Sequence, residues 1–201
     1  SNRILPLLQL TRLALVFTAI ADVWCSLLLL ARQQIGPGAS VWAALGPVTL
    51  LLVAGISTGR YAFGMRLNDI IDSQRDRSIA AHRPLPSGRV SPITAHALCA
   101  LTLVIATACG LAYAQQTPGG WASLIVLGFT AMLITFYDVA GKYLVAPGLI
   151  TLGLVRFFQS LIAAPQMPVV WQPLFLLNHV AIVSMIAYAW EEKRPTLSRG
   201  Q

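Results

Sequence analysis

Asn68-Asp69-Ile70-Ile71-Asp72-Ser73-Gln74-Arg75-Asp76 closes a long apolar segment, and His82-Arg83-Pro84-Leu85-Pro86-Ser87-Gly88-Arg89 follows shortly after. Three of the chain's seven acids stand in the first of these stretches. If the apolar segment runs on as a helix, Asn68, Asp72 and Asp76 step by four. Asp69, Asp72 and Asp76 step by three and four, so in either register the oxygens share one face. Like charges so placed repel by about 0.2–0.5 kcal/mol per pair. A cation is expected to compensate them, most simply a divalent metal. Oxygen donors without His or Cys favour Mg²⁺ over zinc or copper. Magnesium held by few carboxylates shares its remaining positions with water and substrate phosphates. The first expectation is therefore a metal–diphosphate site at a membrane surface.

The composition sets that site in lipid. The chain has 201 residues, of which 56% are hydrophobic and only 10% charged, with a mean hydropathy of +0.70. Soluble domains carry about 25% charge, so the chain reads as an integral membrane protein. Its net charge of +7 does not point to nucleic acid. Most basic residues lie in connections between apolar segments, as membrane topology requires, and no basic helix is interleaved with aromatics. Cys25, Cys99 and Cys109 all lie in apolar segments without metal-ligand spacing, and read as packing residues. The chain begins at Ser1, which suggests processing or a piece of something longer. Its first apolar stretch lacks a cleavage pattern and reads as a span.

Six segments approach the ~20 residues that a span requires: 12–31, 42–66, 92–114, 120–138, 144–164 and 171–190. Gly36-Pro37-Gly38, Pro118-Gly119-Gly120 and Pro165-Gln166-Met167-Pro168 are turn signals between them. One side of the membrane receives Arg3, Arg12, Arg66, Arg75, Arg77, Arg83, Arg89, Lys142, Lys193, Arg194 and Arg199, and the other only Arg32. The positive-inside rule then places both termini and the acidic loop in the cytoplasm.

Several polar residues fall inside the spans. Asp22 sits near the middle of the first, where an unpaired carboxylate costs about 3 kcal/mol. It reads either as a functional group or as half of a structural ion pair. Arg60 is a partner for Asp22 or a diphosphate contact. Arg156, beside Phe157, Phe158 and Gln159, likewise needs Asp22 or an anionic ligand. Gly55 and Gly59 allow two helices to approach closely. His96 and His179 read as hydrogen-bonded packing residues. Tyr137-Asp138-Val139-Ala140-Gly141-Lys142 closes the fourth span, where the lysine serves phosphate oxygens or topology alone. Tyr188 and Trp190 read as interfacial anchors, and Glu191-Glu192 as surface charge or part of a second metal cluster.

The combination Asn68-Asp69-x-x-Asp72-x-x-x-Asp76 with Arg83-Pro84-Leu85-Pro86-Ser87-Gly88-Arg89 resembles the UbiA superfamily of intramembrane prenyltransferases. Tyr137 to Lys142 is similar to that family's Tyr-x4-Lys. Arg12 and Thr18-Ala19-Ile20-Ala21-Asp22 resemble an EboC-like or related bacterial branch, which implies the bacterial inner membrane. The resemblance implies an all-α polytopic membrane bundle around a central cavity, with 1–201 a single membrane domain. It implies Mg²⁺ as cofactor, with Asn68, Asp69 and Asp72 as metal candidates, and polyprenyl diphosphate and membrane lipid as partners. Asp72, Asp76 and Lys142 become the catalytic candidates, and Arg60, Arg83, Tyr137 and Arg156 the substrate-binding ones. Phe157, Phe158 and Tyr137 offer π faces to a carbocation, although lipid-facing packing is the commoner role of such rings.

Members of that family usually have about nine helices and a second aspartate motif after the sixth. Here about six helices are expected, the N-terminal two-thirds of the fold, and Glu191-Glu192 stands near where that motif would be. Two functions follow. The first is Mg²⁺-dependent transfer of a polyprenyl group to an aromatic, tetrapyrrole or lipid acceptor. The second is a noncatalytic subunit, a scaffold or lipid- or pigment-binding component among other membrane subunits.

Overall fold

The computed structural model describes residues 16–168 and 170–190. Among them the regular elements are all helical: α1 (Val16–Gln34), α2 (Val41–Ile79), α3 (Pro92–Gln116), α4 (Trp121–Val139), a 3₁₀ turn (Gly141–Tyr143), α5 (Val145–Leu161) and α6 (Trp171–Trp190). The expected all-α membrane bundle is observed. Arg3, Arg12, Glu191, Glu192, Lys193, Arg194 and Arg199 lie outside the described residues.

Five of these helices are long and apolar enough to cross a membrane. The exception is α5, whose 17 residues reach about 26 Å against the ~30 Å of a hydrocarbon core. The expected span of 144–164 is thus too long. Apolar residues continue through Ile162-Ala163-Ala164, but Pro165 draws the residue before it out of the helical region, and the chain turns there instead.

The decisive element is α2. It begins irregularly, with Gly46 at φ 69° just before Pro47, a glycine-permitted kink followed by a proline suited to a helix start. From there it runs without a further break to Ile79, well past the membrane boundary expected at 66. Nothing between Met65 and Ile79 opposes a helix, and Leu, Gln and Arg favour one. It ends at Ala80, whose amide still bonds to Asp76 O. The turn that follows is closed by Ser87 N to Arg83 O, Gly88 N to Leu85 O and Val90 N to Pro84 O, with Gly88 at φ 73°. Leu85 and Val90 pack with Ala95 and against Ile70, folding the turn back over the end of α2. Ser91 then caps α3 by accepting from Thr94 N at 3.1 Å, with Pro92 in the first turn.

Short connections make successive helices antiparallel neighbours. Helix α2 packs on α1, α3 and α4, while α5 packs on α1, α4 and α6. Val23, Leu27, Val53, Ile56, Ala106, Tyr113, Leu127, Ile162 and Ala163 form the main core. Hydrogen bonds supply the rest of the cohesion, as expected where lipid gives no hydrophobic drive between helices. Ser57 Oγ donates to Ala19 O at 2.7 Å, Tyr113 Oη to Ala163 O at 2.6 Å and Trp24 Nε1 to Leu50 O at 3.1 Å. Phe17, Leu51, Ile125 and Phe175 cover the outside. Phe157 and Phe158 stack edge-to-face on each other and on Phe129.

The close approach read from Gly55 and Gly59 is where α2 meets α3. A Cβ on Gly59 would stand 2.7 Å from Thr102 O and 2.9 Å from Ala106 N, both backbone atoms that have no room to yield. Gly59→Val should therefore destabilise the bundle by about 1–3 kcal/mol, read as a lowered unfolding midpoint in detergent. Gly128→Val, at a glycine with open space around it, should leave that midpoint nearly unchanged.

Candidate functional site

The last turns of α2 and α4 and the 3₁₀ turn after α4 come together at one end of the bundle. The extension of α2 carries Asn68, Asp69, Asp72 and Asp76 there, all four in one helix as the register required. Lys142, on the 3₁₀ turn, donates from Nζ to Asp72 Oδ1 at 2.6 Å, and both side chains are only 6% exposed. The same ammonium lies 5.7 Å from the Tyr143 ring centroid. The opposite oxygen of Asp72 is 3.9 Å from Arg75, whose side chain is 56% exposed, a contact too solvated to contribute much. Asp76 is held by Arg83 Nη1 at 2.5 Å. The proline-rich turn thus folds back to place one arginine on the last carboxylate of the motif.

Asn68 joins α2 to α4. With its amide nitrogen facing the carboxylates, it donates to Asp138 Oδ1 at 3.0 Å and to Asp72 Oδ2 at 3.3 Å. Asp138 is buried in the last turn of α4, with Asp72 and Asp69 as like-charged neighbours and Lys142 as the opposing charge.

Two cavities meet at this corner. The first, of about 510 Å³, is lined among others by Asn68, Asp72, Arg75, Arg83, Tyr137 and Lys142. The second, of about 370 Å³, runs deeper along the bundle between Arg60, Tyr61, Ile134, Leu152, Val155 and Arg156. Asn68, Tyr137 and Leu152 belong to both walls. Deeper still lies a chain of polar side chains from three helices. Arg156 Nη1 meets Asp22 Oδ2 at 2.8 Å, Arg60 Nη2 donates to Gln159 Oε1, and Gln159 Nε2 donates to Ala19 O at 3.1 Å. Arg60 is 2% exposed, and its Nε and Nη1 have no hydrogen-bond partner among the described residues.

The chain's fold has a solved counterpart. A structure described as giving insight into the biosynthesis of digeranylgeranylglyceryl phosphate synthase in membranes superposes with a TM-score of 0.71 at 21% identity. The likeness covers 90% of this chain. The two chains share a fold. This chain spans about 60% of the length of that one. No protein-family model and no curated protein matches the chain.

Of the residues singled out in the sequence, Asn68, Asp72, Arg83, Tyr137 and Lys142 line the larger cavity. Arg60 and Arg156 line the smaller one, with Asn68 and Tyr137 again. Asp69 and Asp76 are buried on the same helix but line neither cavity. Phe157 and Phe158 also lie outside both. Sequence reasoning gave no role to Asp138 and treated Tyr188, which lines the larger cavity, only as an anchor. An acid directly after Tyr137, at the end of an apolar helix, was the available signal for the first.

The site fits a hard cation by its donor chemistry. Asp72 presents a carboxylate and Asn68, were its amide turned over, an oxygen from one helix face, and the carboxylate of Asp138 stands against the Asn68 amide. Among the described residues no three His, Cys, Asp or Glu side chains are grouped closely enough to hold a metal, so a protein site here needs the amide oxygen.

The Lys142–Asp72 pair also fastens the turn after α4 to α2. Lys142→Met should destabilise the protein by about 3 kcal/mol, because it leaves a buried carboxylate without its counter-charge. The double variant Lys142→Met/Asp72→Leu should recover most of that loss, giving a coupling of about 1–3 kcal/mol in a double-mutant cycle of unfolding midpoints.

Proposed function

We propose that this protein is an intramembrane prenyltransferase that moves a polyprenyl group from its diphosphate to an acceptor. The supporting observation is the junction of two unlike cavities at Asn68, Tyr137 and Leu152. One is polar and edged by Arg75, Arg83 and Lys142; the other runs deeper along the bundle past Ile134, Leu152, Val155 and Val180, with Arg60 and Arg156 on its wall. A prenyl diphosphate is an amphiphile of that form, its charged head fitting the first cavity and its chain the second. The shared fold with a digeranylgeranylglyceryl phosphate synthase is consistent with this reading.

In the proposed reaction the bond between C1 of the prenyl chain and the diphosphate oxygen breaks, and the electron pair leaves on the diphosphate. A nucleophilic atom of the acceptor bonds to C1 and gives up a proton. Lys142, Arg83 and Arg75 hold the departing oxygens, whose charge rises as the bond breaks. Asn68 and Asp72 would hold Mg²⁺, which would supply further neutralisation of the leaving group. Asp76 keeps Arg83 in position, and Tyr137 stands where the two cavities join. Arg60 and Arg156 border the inner cavity, where the acceptor would sit against the chain's C1 end. The acidic end faces the cytoplasm of a bacterial inner membrane in this reading, because Arg66, Arg75, Arg77, Arg83, Arg89 and Lys142 gather there against Arg32 at the other end.

The noncatalytic reading has one observation in its favour. The acids Asp72 and Asp76 are already matched by Lys142 and Arg83, as a retained scaffold would have them. Turnover separates the two. Purified protein in lipid nanodiscs, given Mg²⁺ and labelled prenyl diphosphates of graded length, should bind them and release diphosphate when an acceptor is present. Asp72→Asn should lower that rate a hundredfold or more, roughly the loss expected when a charge-stabilising group is removed. Wild-type protein that neither binds nor turns over any of these diphosphates overturns the enzyme reading in favour of the scaffold.

A further inference from the structure

The contact between Asn68 and its two carboxylates has a second interpretation. One terminal atom of the amide lies 3.0 Å from Asp138 Oδ1 and 3.3 Å from Asp72 Oδ2. If that atom is nitrogen, it donates a hydrogen bond to each. If it is oxygen, three oxygens converge, and only a cation among them makes the arrangement stable. The spacing suits a divalent cation, the 3.0 Å separation lying at magnesium's range and the 3.3 Å separation at the lower end of calcium's. Ligands about 2.0–2.1 Å from a metal, in adjacent octahedral positions, lie about 2.8–3.0 Å apart, whereas calcium's longer bonds spread them to about 3.3–3.7 Å. Two assignments of one amide thus describe the same pocket without and with a divalent ion.

We propose that Asp138 is a metal ligand, completing with Asn68 and Asp72 a three-oxygen pocket for a Mg²⁺-sized divalent cation. Asn68 presents its nitrogen to the two carboxylates when the ion is away and its oxygen when the ion is bound. The inference deepens the prenyl-transfer reading and rests on it only for the choice of Mg²⁺.

Three further features agree. The ligands come from two rigid helices in contact, with Asn68 and Asp72 one turn apart on α2 and Asp138 in the last turn of α4. Closing the pocket therefore requires no loop to be ordered. Lys142 occupies Oδ1 of Asp72 and leaves Oδ2 facing the amide. Of the cations beside these two carboxylates only the Lys142 ammonium is buried, since Arg75, 3.9 Å from Asp72 Oδ2, is 56% exposed. Finally, the cavity that Asn68 and Asp138 line is also lined by Arg60. That guanidinium is 2% exposed, with Nε and Nη1 unpartnered among the described residues. An anion-seeking side chain buried on the wall of a cavity that two of the proposed metal ligands share points to an anionic ligand that arrives with the metal.

Mn²⁺, which is close to Mg²⁺ in size and visible by electron paramagnetic resonance, tests the pocket directly. It is titrated into the full chain in nanodiscs with no diphosphate present, for wild type, Asp72→Asn, Asp138→Asn and Asn68→Asp. Wild type should bind one tight ion that Mg²⁺ displaces. Asp72→Asn and Asp138→Asn should each weaken it about tenfold or more. Asn68→Asp should tighten it severalfold, because a carboxylate replaces the amide oxygen, and its unfolding midpoint should rise on adding Mn²⁺. If Asn68 serves only as a hydrogen-bond donor, Asn68→Asp instead loses stability with no gain in affinity, and the proposal is overturned. Wild-type affinity in a folded Asp138→Asn protein overturns it too, as does a wild type that binds no ion at millimolar Mn²⁺. If Asp138→Asn does not fold, the sign of the Asn68→Asp effect decides. Asp138-dependent Mn²⁺ binding in a protein that turns over no prenyl diphosphate supports this pocket and overturns the prenyl-transfer reading alone.

Discussion

The ion pair between Lys142 and Asp72 joins residues seventy positions apart and sets the geometry of the acidic end. Both groups are buried, so neither has water to fall back on, and each requires the other at a fixed place. For Asp72 to reach the lysine, α2 must continue as a helix beyond the apolar core at least as far as that residue. For Lys142 to reach the aspartate, α4 must stop at Val139 and the chain must tighten into the short turn that begins at Gly141. That turn in turn delivers the start of α5, and with it Gly148, which packs so closely under Gly141 that an added Cβ would stand 2.4 Å from the Gly141 carbonyl oxygen. One contact thus ties the length of α2, the end of α4 and the entry of α5.

The same rule operates deeper in the bundle with a different result. Asp22 and Arg156 are paired, but Arg60 adds a second buried cation whose recorded partner is a neutral amide, Gln159. A membrane protein retains an incompletely matched charge at such depth only at considerable cost, which is why intramembrane ionisable groups so often mark function. Gln159 makes the arrangement tolerable. Its oxygen accepts from Arg60 while its nitrogen donates to Ala19 O of α1, so the arginine is held against α1 and α5 and oriented along the inner cavity. The remaining guanidinium nitrogens, Nε and Nη1, stay buried and without a hydrogen-bond partner among the described residues.

Much of this was legible in the sequence because it is local. The sequence bounds the span at 66 and raises its continuation through Asp76 as a condition, which the absence of Pro or Gly between Met65 and Ile79 allows; the end at Ile79 carries no such mark, the next proline being Pro84. The register of Asn68, Asp72 and Asp76 follows from helical geometry alone. The fold-back of the turn was foreshadowed by Pro84, Pro86 and Gly88, though not its product, the grip of Arg83 on Asp76. What stayed hidden are pairings between helices. Asp22 had two candidate partners, Arg60 and Arg156, and only the relative rotation of α1, α2 and α5 decides for Arg156. Asp138 carries no spacing pattern, since its neighbours Asn68 and Asp72 lie on another helix. The short α5 misled for a related reason: its apolar run continues after the helix ends, because Ile162 and Ala163 are buried in the core rather than spanning lipid.

The two kinds of charge around the larger cavity also explain one another. Arg75, Arg83 and Lys142 edge it with donors that suit an anion, whereas Asn68, Asp72 and, behind them, Asp138 present oxygens that suit a cation. A purely cationic wall would bind any phosphate, and a purely acidic one would repel it. Interleaving them favours a ligand that carries both signs, an anion with its counter-ion already attached. Placing that mixed surface at the mouth of an apolar cavity adds the further demand of a long hydrocarbon tail. Each feature alone is common in proteins; their conjunction is what the proposal of a metal-bound prenyl diphosphate rests on, with Tyr137 and Asn68 forming the wall between the two spaces.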